Sequence, residues 1–227
     1  MNIAGMHTLF RVLGQQMGIQ EVRAILPKSI DCFLNQIIVE KVRTLIMENL
    51  NVDLDNRQVI HRENITPINA LRTLYSEKEV SSTISAEGIT EISIDDATLN
   101  NMMLFLGVSA KFNDEYKRFG CRIADAIDVE NTLNDYCNSA SKDYPIANFY
   151  GNKLTLFTGK FTPSSLNARI KYIKYPATVL LSENEEIPSV DCDLPPYLHN
   201  EIVESAVRLF FTSVGYTSPN KDDSNTK

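Results

Sequence analysis

Tyr172-Ile-Lys-Tyr-Pro176 and, further on, Asp193-Leu-Pro-Pro-Tyr-Leu-His-Asn-Glu-Ile-Val-Glu-Ser-Ala-Val-Arg-Leu-Phe210 decide the fold class of this 227-residue chain. The first piece reads as a strand ended by a proline. A short acidic loop follows. The second piece reads as an amphipathic helix with a sharp start, its core stripe at Leu198, Ile202, Val203, Ala206, Leu209 and Phe210. A strand feeding a closing helix makes the class mixed α and β.

Upstream of that segment the period is two. Leu166, Ala168, Ile170 and Tyr172 alternate with Asn167, Arg169 and Lys171. Gly151-Asn152 between 146–150 and 153–158 signals a tight hairpin. Leu104, Leu106, Val108, Ala110 and Phe112 alternate with Phe105, Gly107, Ser109 and Lys111. Phe119, Cys121 and Ile123 follow the Asn113-Asp114 turn, which predicts an antiparallel pair. Residues 178–181 read as a possible edge of the sheet. Between the strands, 128–138 is predicted helical with Asp128 as its cap. Asp95-Asp-Ala-Thr reads as a turn or helical start.

Farther back the period is helical. Met6, Leu9, Phe10, Leu13 and Met17 share one face, and Gly18 is a plausible stop. The longest helix spans about 27–50, with Pro27 in its first turn, where a missing N–H costs nothing. Phe33/Leu34, Ile37/Ile38, Val42 and Leu45/Ile46 are its apolar positions, and Asp31, Asn35, Glu40, Arg43 and Glu48 fall elsewhere on the wheel. A loop at 51–65 and a short helix at 66–75 follow. The stretch 76–95 is a weak hairpin or an excursion.

The expected architecture is therefore α+β: an N-terminal helical bundle packed with an antiparallel β-sheet region, and a closing C-terminal helix. Helices and strands are segregated, unlike a doubly wound α/β fold. One domain spans 1–215, with a helical part at 1–76, a mainly β part at 102–182 and the closing helix at 194–212. A polar tail covers 216–227.

Composition sets the function classes. The chain is 43% apolar and 22% charged, an ordinary globular balance, and its length allows a core without disulfides or metals. A net charge of -7 argues against holding DNA by neutralising phosphates. It suits a wall past which DNA slides. No apolar run approaches the ~20 residues of a membrane span and no signal peptide is expected, so no membrane partner is expected.

No arrangement of residues suggests catalysis. There is no GxxxxGK phosphate loop and no GxSxG elbow. Cys32, Cys121, Cys137 and Cys192 form no CxxC, and with His7, His61 and His199 they make no zinc pattern. Buried free thiols in a reducing cytoplasm are expected. His199 has Glu201 and Glu204 nearby but no second histidine at ligand spacing, which makes it a surface or interface histidine near a helix start. The expectation is no enzyme, no cofactor and no metal.

Charge suggests contacts instead. Glu183, Glu185, Glu186, Asp191 and Asp193 make an acidic loop without the glycine turn a calcium loop needs. It is either a solvated loop or a patch facing a neighbouring subunit. Lys153, Lys160, Arg169, Lys171 and Lys174 concentrate positive charge on the strand region. That is either a polar sheet face in water or the complement of that loop on another copy. Met102-Met-Leu-Phe105 and Phe210-Phe211 hold more apolar side chains than one face can hide, so an interface or a covering loop must take the surplus. Candidate interface residues are Lys171, Lys174, Arg169, Glu183, Glu185, Glu186 and Phe211. On residues alone, a non-enzymatic bacterial binding or regulatory module remains the alternative.

Three stretches carry a family resemblance: Leu26-Pro-Lys-Ser-Ile-Asp-Cys-Phe-Leu-Asn35, Tyr172-Ile-Lys-x-Pro176 and Leu194-Pro-x-Tyr-Leu-His-x-Glu-Ile-Val-x-x-Ala-Val207, with the Tyr150-Gly-Asn-Lys-Leu154 hairpin between them in order. They resemble the start of the long helix and the closing strand and helix of head-to-tail connector (adaptor, ring) proteins of tailed phages, especially crAss-like phages of Bacteroides. The resemblance implies a virion structural protein between portal and tail, assembled in the host bacterial cytoplasm. It implies a homo-oligomeric ring, dodecameric in the family, contacting the portal and other tail or ring proteins, with double-stranded DNA passing through. It also marks 76–95 and the tail after Gly215 as candidate arms that order on a neighbour.

Overall fold

The computed structural model describes residues 1–17, 25–49, 70–82, 88–113, 116–125, 127–182 and 187–214. Glu183, Glu185 and Glu186, the 51–65 loop, the Gly18 stop and the tail lie outside the described residues, as does the start of the expected 66–75 helix. The chain is α+β, with helices at its N-terminus and a helix near its C-terminus. It divides into two compact units, Met1–Leu74 with Pro176–Lys227, and Tyr75–Tyr175.

The first unit holds α1 (Ile3–Gln16), α2 (Pro27–Asn49) and α5 (His199–Ser213), with 3₁₀ turns at Arg72–Leu74 and Pro196–Leu198. Asn2 caps α1, its side chain accepting the Gly5 N–H at 3.0 Å. The buried stripe of α1 is Ile3, Met6, His7, Phe10 and Gly14, so Leu9 and Leu13 sit half-buried beside it and Met17 is exposed. α5 packs against both α1 and α2. Ile202, Val203, Ala206 and Val207 are buried, and the Phe210 ring meets Phe10 and Phe33 edge-on at 6.0 and 5.5 Å. On α2, Ile30, Leu34, Ile37, Ile38 and Val42 are buried at helical spacing.

The second unit holds two four-stranded sheets that enclose one core. One is ordered β1-β8-β3-β4 and antiparallel: β1 (Tyr75–Ser82), β8 (Leu166–Lys174), β3 (Met102–Phe112) and β4 (Phe119–Gly120). The other is ordered β2-β7-β6-β5: β2 (Ile89–Ser93), β7 (Lys153–Phe157), β6 (Ile146–Tyr150) and β5 (Arg122–Ile123). It is mixed, because β5 runs parallel to β6. Ile92, Leu154, Leu156 and Ala147 from the second sheet share one apolar cluster with Val108, Ala110, Phe112, Ala168 and Ile170 from the first. The 76–95 stretch thus supplies β1 and β2 to different sheets and is not a hairpin. Likewise the run 119–123 pairs with β3 at Phe119 and Gly120, donates the Cys121 N–H to the Val108 carbonyl, and then joins the second sheet at Arg122 and Ile123.

The alternation predicted for β3 changes phase in its first half. Register shifts between Met102/Leu104 and Phe105/Gly107 insert extra residues opposite β8. A bulge turns the following residues to the other face. Phe105 therefore joins the core side and stacks on Phe149 with centroids 4.9 Å apart, while Leu104 and Leu106 are half-buried. The crowded Met102–Phe105 run is accommodated this way, with no member fully exposed.

Short helices α3 (Asp96–Asn101) and α4 (Val129–Asn134) interrupt the strands. Asp95 caps α3 through the Thr98 N–H and hydroxyl. Asp128 makes no side-chain cap to α4, contrary to expectation. Residues 178–181 form no sheet edge; a single bridge joins Leu180 to Val190.

Gly159 sits at φ +64°, and a Cβ there would lie 2.2 Å from the Ala140 carbonyl oxygen. Gly151 in the β6–β7 hairpin has a similar φ of +60° but open space around it. Gly151→Ala is expected to cost about 1 kcal/mol, the left-handed backbone alone. Gly159→Ala adds a backbone clash and is expected to cost more than ~2 kcal/mol. Denaturant melts of both variants test the difference; equal losses would show that the backbone near Ala140 yields freely.

Candidate functional site

The outer face of the first sheet carries the densest arrangement of charge among the described residues. The side chains of β1 and β8 that point away from the core meet across the strands, with Glu77 opposite Lys171, Glu79 opposite Arg169 and Ser81 opposite Asn167. Cross-strand neighbours of opposite charge attract. Glu79 Oε1 accepts from Arg169 Nε at 2.9 Å and Nη2 at 2.7 Å, and from Arg118 Nη2 at 2.8 Å. Arg118 Nη2 also donates to Asn167 Oδ1 at 2.9 Å. Arg169 Nη1 reaches Glu77 Oε2 at 3.4 Å, and Tyr75 donates its hydroxyl to Glu77 Oε1 at 2.9 Å.

These contacts shift the titrations. Hydrogen bonds from Arg169, aided by the nearby Arg118, hold the Glu79 carboxyl below its ordinary value. Burial, then the hydrogen bond to Glu77, pushes the Tyr75 hydroxyl up to about 12. A carboxyl lowered in the fold contributes stability above its unfolded value, and that contribution disappears as pH falls through the folded value. Wild type is therefore expected to melt above Glu79→Gln at neutral pH, with the gap closing below about pH 4. A gap that persists at low pH would mean that packing, not charge, separates the two.

The predicted interface residues fall in different parts of the chain, and Glu183, Glu185 and Glu186 lie outside the described residues. Arg169 and Lys171 lie on the outer face of β8 and Lys174 at its end, whereas Lys153 pairs with Glu91 at 3.3 Å in the other sheet. Arg169 is engaged by glutamates of its own chain. Phe211 is half-buried at the end of α5, its ring edge-on to Phe210 at 6.4 Å.

Several acidic and histidine side chains serve the helical unit instead. Asp31 is buried; its Oδ1 accepts from His7 Nε2 at 2.7 Å, and its carboxylate also receives the Leu181 N–H. Asn35, one turn on, accepts the Val179 N–H at 2.7 Å and donates to the Val179 carbonyl at 3.0 Å. Asp191 accepts the Ile3 N–H at 2.7 Å, and Asp193 the Ala177 N–H at 3.3 Å. Asp31, Asn35 and Asp191 tie the extended stretch after Pro176 to α1 and α2, and Asp193 links two parts of that stretch. His199 is buried rather than at the surface, and its Nε2–H donates to the Leu194 carbonyl at 2.8 Å. Glu201 pairs with Lys41 of α2.

Of the thiols, only Cys121 is buried; Cys32 and Cys137 are exposed and Cys192 is half-buried, so the expectation of four buried thiols is corrected. A thiol on the outer side of α2 has no core to enter. Among the described residues no group of three or more His, Cys, Asp or Glu is placed to hold a metal ion, and no helix is long and apolar enough to cross a membrane.

One surface feature escaped the sequence reading. Tyr116, Tyr136, Tyr144 and Tyr150 of the β unit are exposed, as is Ile127. Their signal was composition: nine tyrosines and no tryptophan. Tyrosine contributes large, rigid contact area at interfaces.

No protein-family model and no curated protein matches the chain.

Proposed function

We propose that this chain is a virion structural protein, one subunit of a head-to-tail connector ring between portal and tail through which double-stranded DNA passes. One observation carries the reading. Leu194, Leu198, Ile202, Val203, Ala206 and Val207, which carry the family resemblance, form the buried side of the segment that closes the helical unit. The resemblance thus falls on residues with a common structural task and not on scattered surface positions. The exposed tyrosines of the β unit add contact area for neighbouring copies. The net charge of -7 suits a protein past which DNA moves without being held.

The test is assembly. Purified protein mixed with the portal protein of the same virus is expected to form rings, seen by negative-stain imaging and as discrete high masses in mass photometry. A chain that stays strictly monomeric and never joins the portal would sink the reading and leave the binding-module alternative.

A further inference from the structure

The outer face of the first sheet holds more cations than its described carboxylates neutralise. Asn167 of β8 lies between Ser81 on β1 and Lys111 on β3. Arg118, just before β4, lines the same cleft as Lys111. Arg118 turns its Nη2 to Glu79 and Asn167, and its Nη1 has no hydrogen-bond partner. Arg118 and Arg169 balance Glu79 and Glu77, which leaves Lys111 and Lys171 as surplus positive charge among the described residues, and of the two Lys111 lines a cleft. Lys111 is half-buried and has no acidic partner among the described residues. With Ser81, Ser165 and Asn167 these groups line a cleft of ≈ 680 Å³.

We propose that this cleft binds the carboxylates of an acidic segment from a second copy of the chain, Glu183-Asn-Glu-Glu186; the choice of a second copy rests on the ring reading. The cleft offers an ammonium and hydroxyls, while its one carboxylate is already engaged by two arginines. Such a set suits an oxyanion. Its volume lies within the range that takes a few side chains. The source follows from charge: copies each carrying -7 repel one another, so a contact between them must set negative charge against a positive site. Residues 183–186 hold three glutamates in four positions, the densest acidic run in the sequence. Segment and cleft are different parts of the chain, so their contact is heterologous, the kind that closes a ring.

The probe is a capped peptide, Ser-Glu-Asn-Glu-Glu-Ile, titrated into the full chain at low salt and followed by calorimetry. Saturable binding is expected, weakened about tenfold or more by Lys111→Glu and also weakened by added salt. Lys111→Gln is expected to fall between, and far-UV circular dichroism checks that both variants fold. An all-glutamine peptide is expected not to bind. Absence of peptide binding, or saturable binding of inorganic phosphate in its place, would overturn the proposal. In the assembly assay, Lys111→Glu is expected to lose rings, and Lys111→Glu combined with lysines at 183, 185 and 186 to regain them. Rings from Lys111→Glu at the wild-type yield would overturn the cleft while the ring reading stands. A wild-type chain that never assembles removes the ring reading, and the peptide titration still decides the cleft.

Discussion

Phe112→Ala is expected to destabilise the β unit by about 3–5 kcal/mol, the largest single effect foreseen for this chain. Phe112 closes β3, is fully buried and meets rings on two sides: Phe119 at 5.7 Å and Phe161 edge-on at 5.4 Å. Removing the ring leaves a cavity in the cluster shared by both sheets and forfeits two aromatic contacts, each worth roughly 0.5–1.5 kcal/mol beyond area burial. Urea unfolding followed by tyrosine fluorescence reads the loss as a lower midpoint at unchanged slope. Tyr150→Ala, at an exposed hairpin residue, serves as control and is expected to stay within about 0.5 kcal/mol of wild type. A Phe112→Ala loss below 1 kcal/mol would mean that the two sheets do not share a packed core.

The second large effect is expected at Asp31. Asp31→Ala removes the acceptor of His7 Nε2–H and of the Leu181 N–H together. The histidine side chain is buried, so its stranded donor cannot turn to water. Each unsatisfied buried group costs about 1–3 kcal/mol, which puts the variant roughly 3 kcal/mol below wild type. Asp31→Asn keeps one acceptor oxygen in place and is expected to recover about half of that. Thermal unfolding of the two variants with His7→Ala completes the cycle. If Asp31→Ala is as harmful in a His7→Ala background as alone, the pair contributes nothing and the helix-to-strap bonds carry the whole effect.

Legibility followed the range of the interactions involved. The helices α1, α2 and α5, the β6–β7 hairpin and the inward side of β8 were readable because periodicity and turn chemistry are local. Leu166, Ala168, Ile170 and Tyr172 all proved buried. β1 and β2 were not readable as members of two sheets. Tyr75–Ser82 is a polar edge strand, Tyr-Ser-Glu-Lys-Glu-Val-Ser-Ser, whose partner β8 lies about ninety residues away. The phase of β3 was misjudged at Leu104 and Leu106 because a bulge depends on the partner strand.

The candidate site was only half legible. Arg169 and Lys171 were singled out from charge. Glu77, Glu79, Arg118 and Lys111 were not, since three strands and a turn bring them together. The histidines were judged by the absence of ligand spacing, which could not say where His199 would lie. Burial with one carbonyl partner is a tertiary matter. Asp31 and Asn35 looked like the wet side of α2 because the strap that covers them is more than a hundred residues distant in sequence.

By itself the sequence determined the α+β class, the amphipathic helices, the tight hairpin and the charge balance that disfavours DNA holding. Each follows from neighbours within a turn or a pleat, where sterics and hydrophobic period act directly. Only the tertiary structure decided that the β region is two sheets around one core, that His7 and Asp31 are a buried pair, and that Arg169 is neutralised while Lys111 meets no acid among the described residues. Those outcomes depend on which distant strands become neighbours, and pairing across long chain separations is set by the whole core and not by any local pattern.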